Sequence, residues 1–199
     1  MRPPCRIAHV FMTCYRPVMK RAVGRQALGM ARVTIITGPR DSGKTRAAAA
    51  AAEQMQRNGT LVGGVIAEAE LAGGIKVRYF LRDVLTGAKA LYAVRRPGPI
   101  PPGAMAYLFI DEGLEFGRAA VRRGIDAGTG TAAVVIDEIG PLEMAGAGLW
   151  EAVREAVTGF PGRIILTVRP ALLDTLREKL ELAPAEVDVI QPDADASPR

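Results

Sequence analysis

Short apolar runs alternate with longer amphipathic stretches along most of the chain. The first run, Val33 to Thr37, is β-branched and ends at a glycine, which is typical of a buried strand entering a turn. Six consecutive alanines at 47–52 follow, within a predicted helix that Asn58 and Gly59 end. The pattern therefore begins with a strand, a glycine loop and a helix.

The middle of the chain has a different pattern from its flanks. Between Leu61 and Val94, short β-rich pieces are joined by glycine turns, which predicts a hairpin-rich insertion after the first helix. The proline-rich segment Arg95 to Gly103 is predicted to be an exposed loop. Beyond it, strands are predicted at 106–111, 131–140, 163–168 and 186–190, and helices at 114–125, 150–158 and 171–182. This alternation predicts an α/β fold, with a mostly parallel sheet covered by helices on both faces.

Length and composition favour one folded domain. With 199 residues, 49% of them hydrophobic, the chain can bury one substantial core. We expect a basic extension over residues 1–30, the domain over 31–190 and a flexible tail over 191–199. No apolar run approaches the roughly 18 to 20 residues of a membrane helix, so we expect no membrane contact and a cytoplasmic location.

The net charge of +5 comes from the first thirty residues. That leader has six basic residues and no acidic one, which leaves 20 basic and 21 acidic residues in the rest of the chain. Because the body has no basic excess, no nucleic-acid partner is expected. The leader resembles an organellar transit peptide, but Met30 directly before the first strand favours a mis-called start codon or a disordered extension.

Both cysteines and the single histidine also lie in the leader, at Cys5, Cys14 and His9. The rest of the chain therefore cannot form a Ser-His-Asp triad, a Cys-His pair or a zinc site of thiolates and imidazoles. Its chemistry must rest on carboxylates, lysine, arginine, hydroxyls and backbone amides, with or without a hard cation.

The glycine loop after the first strand has the spacing of a phosphate-binding motif. Its sequence, GPRDSGKT, fits G-x-x-x-x-G-K-[ST] at every position. The spacing lets backbone N–H groups point toward a phosphate at the positive end of the next helix. Lys44 is predicted to contact the β- and γ-phosphates and to take part in catalysis, and Thr45 to bind Mg²⁺. The predicted phosphate-binding residues are Gly38, Pro39, Arg40, Asp41, Ser42, Gly43, Lys44 and Thr45.

Two adjacent acids, Asp137 and Glu138, follow the apolar strand 132–136. Ligands of doubly wound sheets collect at the carboxyl ends of the strands, so both acids are expected to face the same crevice as the loop. Asp137 is predicted to hold the magnesium ion, directly or through water. Glu138 is predicted to activate a water molecule, with an exposed capping or salt-bridging role as the alternative.

Other polar residues near the predicted crevice each have two interpretations. Thr167 and Arg169 could sense the γ-phosphate and stabilise charge, or they could be surface and loop-anchoring residues. Arg40 in the loop and Arg46 just after it could contact phosphate oxygens, or Arg46 could lie on the solvated face of the helix. Glu143 is either a second acid of the site or a charge at a helix N-terminus. A solvated helix face is predicted for Arg118, Arg122 and Arg123.

The order of these segments resembles the small P-loop nucleoside-triphosphatase family, which includes the thermophilic phosphohydrolases and the cancer-related type. The resemblance covers residues 32 to 190 and is carried by ITGPRDSGKT, the glycine-hairpin stretch 62–93, VVIDEIGPLEM and RIILTV. It implies a RecA-like P-loop domain that hydrolyses ATP, GTP and other nucleoside triphosphates to diphosphates with Mg²⁺ and broad base tolerance. It also implies that Asp137 and Glu138 are the metal-binding and water-activating acids, and Glu143 the acid that follows them.

The chain departs from the family pattern in two places. Pro141 and Leu142 occupy positions where the family has lysine and methionine. Ala67 and Ala69 lie where more polar residues are usual, which leaves the base preference open.

Three functions are compatible with these residues. Glu138 favours hydrolysis, because a water-using site needs a proton acceptor. A nucleotide or nucleoside kinase shares the same γ-phosphate chemistry. A nucleotide-binding adaptor with partner-dependent hydrolysis is the third. A guanine-nucleotide switch is disfavoured, since Asn58 is the only asparagine and no Asn-Lys-x-Asp motif exists.

Overall fold

The described strands form an eight-stranded sheet with helices against both faces. The computed structural model describes residues 32–127, 133–183 and 187–192, so the predicted extension 1–30 and most of the tail predicted for 191–199 lie outside it. The strands are β1 (Arg32–Thr37), β2 (Val62–Ala72), β3 (Ile75–Asp83), β4 (Lys89–Arg95), β5 (Tyr107–Phe109), β6 (Ala133–Ile139), β7 (Arg163–Val168) and β8 (Val187–Ile190). The helices are α1 (Lys44–Arg57), α2 (Asp111–Ala127), α3 (Pro141–Met144), α4 (Trp150–Gly159) and α5 (Pro170–Lys179).

The strand order is β5-β4-β3-β2-β6-β7-β1-β8. Neighbours from β2 through β6, β7 and β1 to β8 are parallel, and β7 lies between the glycine-loop strand β1 and the acid-bearing strand β6. Neighbours from β2 to β5 are antiparallel, and these four strands extend the same sheet. The predicted α/β fold is confirmed.

Each face of the sheet has its own apolar core. On one face, α1 packs through four alanines that are at most 2% exposed: Ala47, Ala48, Ala51 and Ala52. Their helical spacing directs small side chains to the sheet, so the helix can approach it closely. The opposite face is covered by α2 and α4, which bury Ala120, Val121, Ala152, Val153 and Ala156. Helices therefore cover both faces, as predicted.

One glycine pair controls how closely α2 approaches the sheet. A Cβ atom on Gly63 of β2 would lie 2.3 Å from the Cα atom of Gly124 in α2. Neighbouring Gly64 has φ of 98° and would direct a Cβ to 2.0 Å from the carbonyl oxygen of Val135 in β6. Side chains at these positions would push α2 and β6 away from β2.

Helix bounds differ from the prediction at a few ends. α2 begins at Asp111 rather than at residue 114, because the carboxylates of Asp111 and Glu112 suit the positive end of a helix. α5 ends at Lys179, three residues before the predicted Leu182, since Glu181 has a left-handed φ of 52°. The short α3 was not predicted. No helix in the described ranges is both long enough and apolar enough to cross a membrane.

Candidate active site

The phosphate loop, residues 38–45, leads from the C-terminal end of β1 into α1. Gly43 has φ of 86°, a left-handed conformation that glycine adopts readily. At Gly38, a Cβ atom would lie 2.5 Å from Ser42 Oγ, so a side chain there would disturb the turn. The left-handed backbone therefore explains Gly43, and the closeness of the Ser42 side chain explains Gly38.

Lys44 begins α1 and folds back over the phosphate loop. Its side chain is only 6% exposed, and Nζ donates a hydrogen bond to the carbonyl oxygen of Pro39 at 2.9 Å. Ser42 Oγ is also buried and has no hydrogen-bond partner among the described residues. The loop thus presents a held cation and a free hydroxyl to any anion that binds it.

Asp137 connects the end of β6 with the start of α1. Its carboxylate is fully buried, and Oδ1 accepts hydrogen bonds from Thr45 Oγ1 at 3.2 Å and from Thr167 Oγ1 at 2.6 Å. The other oxygen, Oδ2, accepts a hydrogen bond from the backbone N–H of Ala67 at 3.1 Å. The structure therefore brings together Thr45 and Asp137, the two residues predicted to bind a metal.

Burial raises the pKa of Asp137 to about 6, with a smaller upward contribution from the neighbouring charge of Glu138. Hydrogen bonds from Thr167, Thr45 and the Ala67 N–H act in the opposite direction, because they stabilise the ionised carboxylate. A cation bound beside Asp137 would likewise favour the ionised form.

Glu138 lies one residue further on and faces a crevice of about 370 Å³ beside the phosphate loop. Its side chain is 28% exposed, and Oε1 lies 3.2 Å from Arg169 Nε and 4.0 Å from Lys44 Nζ. Two cations therefore flank this carboxylate at the crevice. The geometry leaves Glu138 accessible to water, while Asp137 is enclosed.

The donors at Thr45 and Asp137 fit Mg²⁺. A hydroxyl and a carboxylate are hard oxygen ligands, and in this site they approach each other within 3.2 Å. No group of three His, Cys, Asp or Glu side chains in the described residues could form an all-protein metal site. Magnesium in phosphoryl-transfer sites commonly uses one or two protein ligands together with substrate phosphates, which is the kind of site these two residues can form.

A comparison with known protein families decides where this chain belongs. The family model described as NTPase matches residues 33–194. The chain belongs to the NTPase family. It is 31% identical over 123 residues to the nucleoside-triphosphatase THEP1 of Thermofilum pendens, a match that spans 62% of this chain and 66% of that protein. It is 30% identical over 168 residues to the human cancer-related nucleoside-triphosphatase, spanning 77% of this chain and 86% of that protein.

A solved structure of the NTPase family has the same fold. The solution structure of a human cancer-related nucleoside triphosphatase matches with a TM-score of 0.62 at 24% identity, over 81% of this chain and 88% of that one. The family resemblance and the α/β P-loop fold predicted from the sequence are both confirmed. The roles assigned to individual residues stay predictions.

The structure resolves two of the ambiguous polar residues of this NTPase. Thr167 is fully buried and donates to Asp137 Oδ1 at 2.6 Å, so it lies beside the predicted metal ligand and is not exposed to the crevice. Glu143 is 6% exposed and accepts hydrogen bonds from the N–H groups of Gly140 and Leu149. Burial raises the pKa of Glu143, and those hydrogen bonds oppose the rise. Its contacts are those of a capping residue at α3.

Arg123 is 45% exposed on the predicted solvated face of α2, and it also forms an ion pair with a buried acid. This guanidinium donates to the carboxylate of Asp83 at 2.9 Å, and Asp83 is fully buried. Burial acts to raise the pKa of Asp83, but the bonds from Arg123, Thr86 and Leu85 N–H outweigh it and hold the pKa below its usual value. Arg122 pairs with Glu155 of α4. Packing of α2 against β3 and α4 places partners that the sequence pattern could not indicate.

The wall opposite the phosphate loop was missed by the sequence analysis. It consists of side chains from β2 and β3: Glu68, Lys76, Tyr79 and Arg82. Lys76 pairs with Asp41 of the loop, and Arg82 donates to Glu68 at 2.6 Å. Arg40, Arg46 and Arg169, which the sequence had singled out, also line the crevice. No motif marks the β2–β3 wall; the only signal was a run of charged and aromatic residues on β3.

Proposed function

We propose that this protein hydrolyses nucleoside 5'-triphosphates, ATP and GTP among them, to the diphosphate and inorganic phosphate, with Mg²⁺ and with broad base tolerance. That it is a hydrolase of this class follows from its family. The relatives from Thermofilum pendens and human are both named nucleoside-triphosphatases. The metal, the water-activating acid and the base tolerance are inferences from the site.

The convergence of four side chains carries the proposal. Thr45 Oγ1 lies 3.2 Å from Asp137 Oδ1, although the two residues are 92 positions apart in the chain. Lys44 Nζ lies 4.0 Å from Glu138 Oε1. A cation, a metal-binding pair and an accessible carboxylate therefore surround one crevice, and phosphoryl transfer to water uses this set of groups.

The phosphate loop binds the β- and γ-phosphates through its N–H groups and Lys44. Ser42 Oγ, which is buried without a partner in the described part of the chain, is available to a phosphate oxygen. Thr45 and Asp137 would hold a magnesium ion, which would supply positive charge to offset that of the phosphates. All these contacts are to phosphates rather than to a base, which supports tolerance of different bases.

Glu138 orients the attacking water and accepts its proton as the oxygen attacks the γ-phosphorus. The bond from that phosphorus to the bridging oxygen breaks, and the diphosphate leaves. Arg169 lies 3.2 Å from Glu138 at the mouth of the crevice, so it is placed to stabilise the charge that develops on the γ-phosphate. Lys44 neutralises charge on the other side of the same phosphate.

Phosphate release from ATP, GTP, CTP, UTP and inosine triphosphate, each with Mg²⁺ and with EDTA, tests the proposal. We expect turnover of all five within about tenfold of one another, because every contact proposed here is to the phosphates that the five substrates share. EDTA should abolish release, and added Mg²⁺ should restore it. Turnover of a single base, turnover that persists in EDTA, or release that requires a partner protein would each contradict the proposal.

A further inference from the structure

Lys76 reaches from the β2–β3 wall to the phosphate loop. It lies near the start of β3, and its ammonium group pairs with the carboxylate of Asp41, which belongs to the loop. Both residues line the crevice of about 370 Å³. The ion pair therefore crosses the space in which the triphosphate is proposed to bind.

The main chain of Lys76 is fixed, whereas its side chain can change partners. Lys76 pairs with Leu71 of β2, and its carbonyl oxygen accepts a hydrogen bond from the hydroxyl of Tyr107 at 3.1 Å. The side chain is 33% exposed, and lysine carries its charge on a flexible four-carbon stem. The ammonium group can therefore move within the crevice while β3 stays in place.

Asp41 is a weak partner for this ammonium group. Its side chain is 60% exposed, and ion pairs in contact with solvent contribute little because water screens them. A phosphate oxygen in the crevice would offer Lys76 a stronger, charge-assisted hydrogen bond. A bound triphosphate can therefore compete with Asp41 for Lys76.

The lining of the crevice favours a ligand with a high negative charge. Among the residues that line it, cations outnumber acids six to three. Arg82 is already paired with Glu68 of the same wall, at 2.6 Å, whereas the acid that holds Lys76 comes from the phosphate loop. Lys76 is therefore the cation of the β2–β3 wall that is best placed to respond to an anion in the loop.

The position of β3 indicates which phosphate Lys76 can reach. In the sheet, β2 and β3 lie beyond β6 when counted from β1, so Lys76 approaches the loop from the side of the acid pair. In the proposed reaction, the γ-phosphate lies between the phosphate loop and Glu138. The terminal phosphate is therefore the one closest to the β2–β3 wall.

We propose that Lys76 leaves Asp41 when a nucleoside triphosphate binds and donates a hydrogen bond to its γ-phosphate, so that the site binds triphosphates in preference to diphosphates. This rests on the proposed function, because the γ-phosphate is the group that the hydrolase removes. Once that phosphate has left, Lys76 loses its contact and returns to Asp41. The diphosphate product is then held by fewer charges than the substrate was.

Binding of a triphosphate and a diphosphate to the full chain with Mg²⁺ tests the inference. The probes are ADP and the β,γ-imido analogue of ATP, which keeps a γ-phosphate but resists hydrolysis, and each displaces a fluorescent nucleotide. Lys76→Met keeps the length of the stem and removes the charge. It should weaken binding of the triphosphate analogue by about tenfold or more and leave the affinity for ADP within about twofold.

Lys89→Met is the matched control, because it removes the same charge from a residue of β4 that is 50% exposed and pairs with Glu68. Both affinities should stay within about twofold of those of the unmodified chain. An unchanged affinity of Lys76→Met for the triphosphate analogue, or an equal loss for both probes, would overturn the inference.

Asp41→Asn separates a phosphate contact from a purely structural role of the ion pair. Asparagine tolerates the left-handed φ of 62° at this position, so the loop should keep its path. Because Lys76 is then released, the triphosphate analogue should bind about twofold to fivefold more tightly. Weaker binding of both probes to Asp41→Asn and to Lys76→Met would mean that the pair only holds the loop, which overturns the inference but not the hydrolase proposal. Absence of phosphate release from ATP by the unmodified chain would contradict the proposed function itself.

Discussion

The parallel and antiparallel parts of the sheet contribute to the crevice in different ways. In the parallel part, functional groups lie in short contiguous segments: the phosphate loop after β1 and the acid pair Asp137 and Glu138 at the end of β6. In the antiparallel part, the wall is assembled from side chains dispersed over β2 and β3, such as Glu68, Tyr79 and Arg82. The first arrangement depends on local backbone geometry, whereas the second depends on strand pairing. We expect the rate of the reaction to depend mainly on the parallel part of the sheet. The choice of the molecule that binds should depend mainly on the antiparallel part.

Replacing Glu138 and Lys44 tests the parallel part and should have the largest effect. Glu138→Gln should lower kcat for hydrolysis by about 10²–10⁴, the scale of losing a general base, and leave nucleotide binding intact. Lys44→Ala should abolish both binding and turnover, because a charge contact to the phosphates is lost. Phosphate release and titration with a fluorescent nucleotide measure the two properties.

The control for Glu138→Gln is Glu53→Gln, at a position on α1 that is 62% exposed. This control should hydrolyse at the wild-type rate. Normal hydrolysis by Glu138→Gln would show that Glu138 is not the proton acceptor and would remove the basis for assigning chemistry to the parallel part.

Arg169 is an exception within the parallel part, because no motif marks it. Its guanidinium lies 3.2 Å from Glu138, and Arg169→Ala should lower kcat by about a hundredfold with a much smaller change in KM. Arg169→Lys should recover only part of the rate, since lysine lacks the planar fork of donors. Exposed Arg154 of α4 provides the matched alanine control. A lower melting temperature with unchanged kcat would mean that Arg169 only anchors the loop.

The sequence could predict the features that neighbouring residues determine, but not those that depend on the pairing of distant strands. The phosphate loop and the acid pair were predictable because a glycine turn and a strand end are local features. The contact of Thr167 with Asp137 could not be predicted, because it depends on the pairing of β7 with β6. The contacts of Tyr79 with Tyr92 and Tyr107 could not be predicted, because these rings come together only through the pairing of β3 to β5. That pairing contains an irregularity at Tyr79 and Phe80, which breaks the simple alternation of faces.

Gly63 tests whether the two parts of the sheet are separable, and its effect should be the smallest. It lies in β2, which pairs with β6 on the parallel side and with β3 on the antiparallel side. In Gly63→Ala, the new Cβ would lie 2.3 Å from the Cα atom of Gly124, a backbone atom that cannot rotate away. We expect the free energy of unfolding in urea to fall by about 2 kcal/mol, as for other overpacked cores. Gly159→Ala, with no atom within 4 Å of its Cβ, should show no such loss. Gly63 lies at the end of β2 away from Glu68, so the folded Gly63→Ala protein should keep its kcat. A lower kcat at unchanged stability would mean that the parallel and antiparallel parts of the sheet act as one unit.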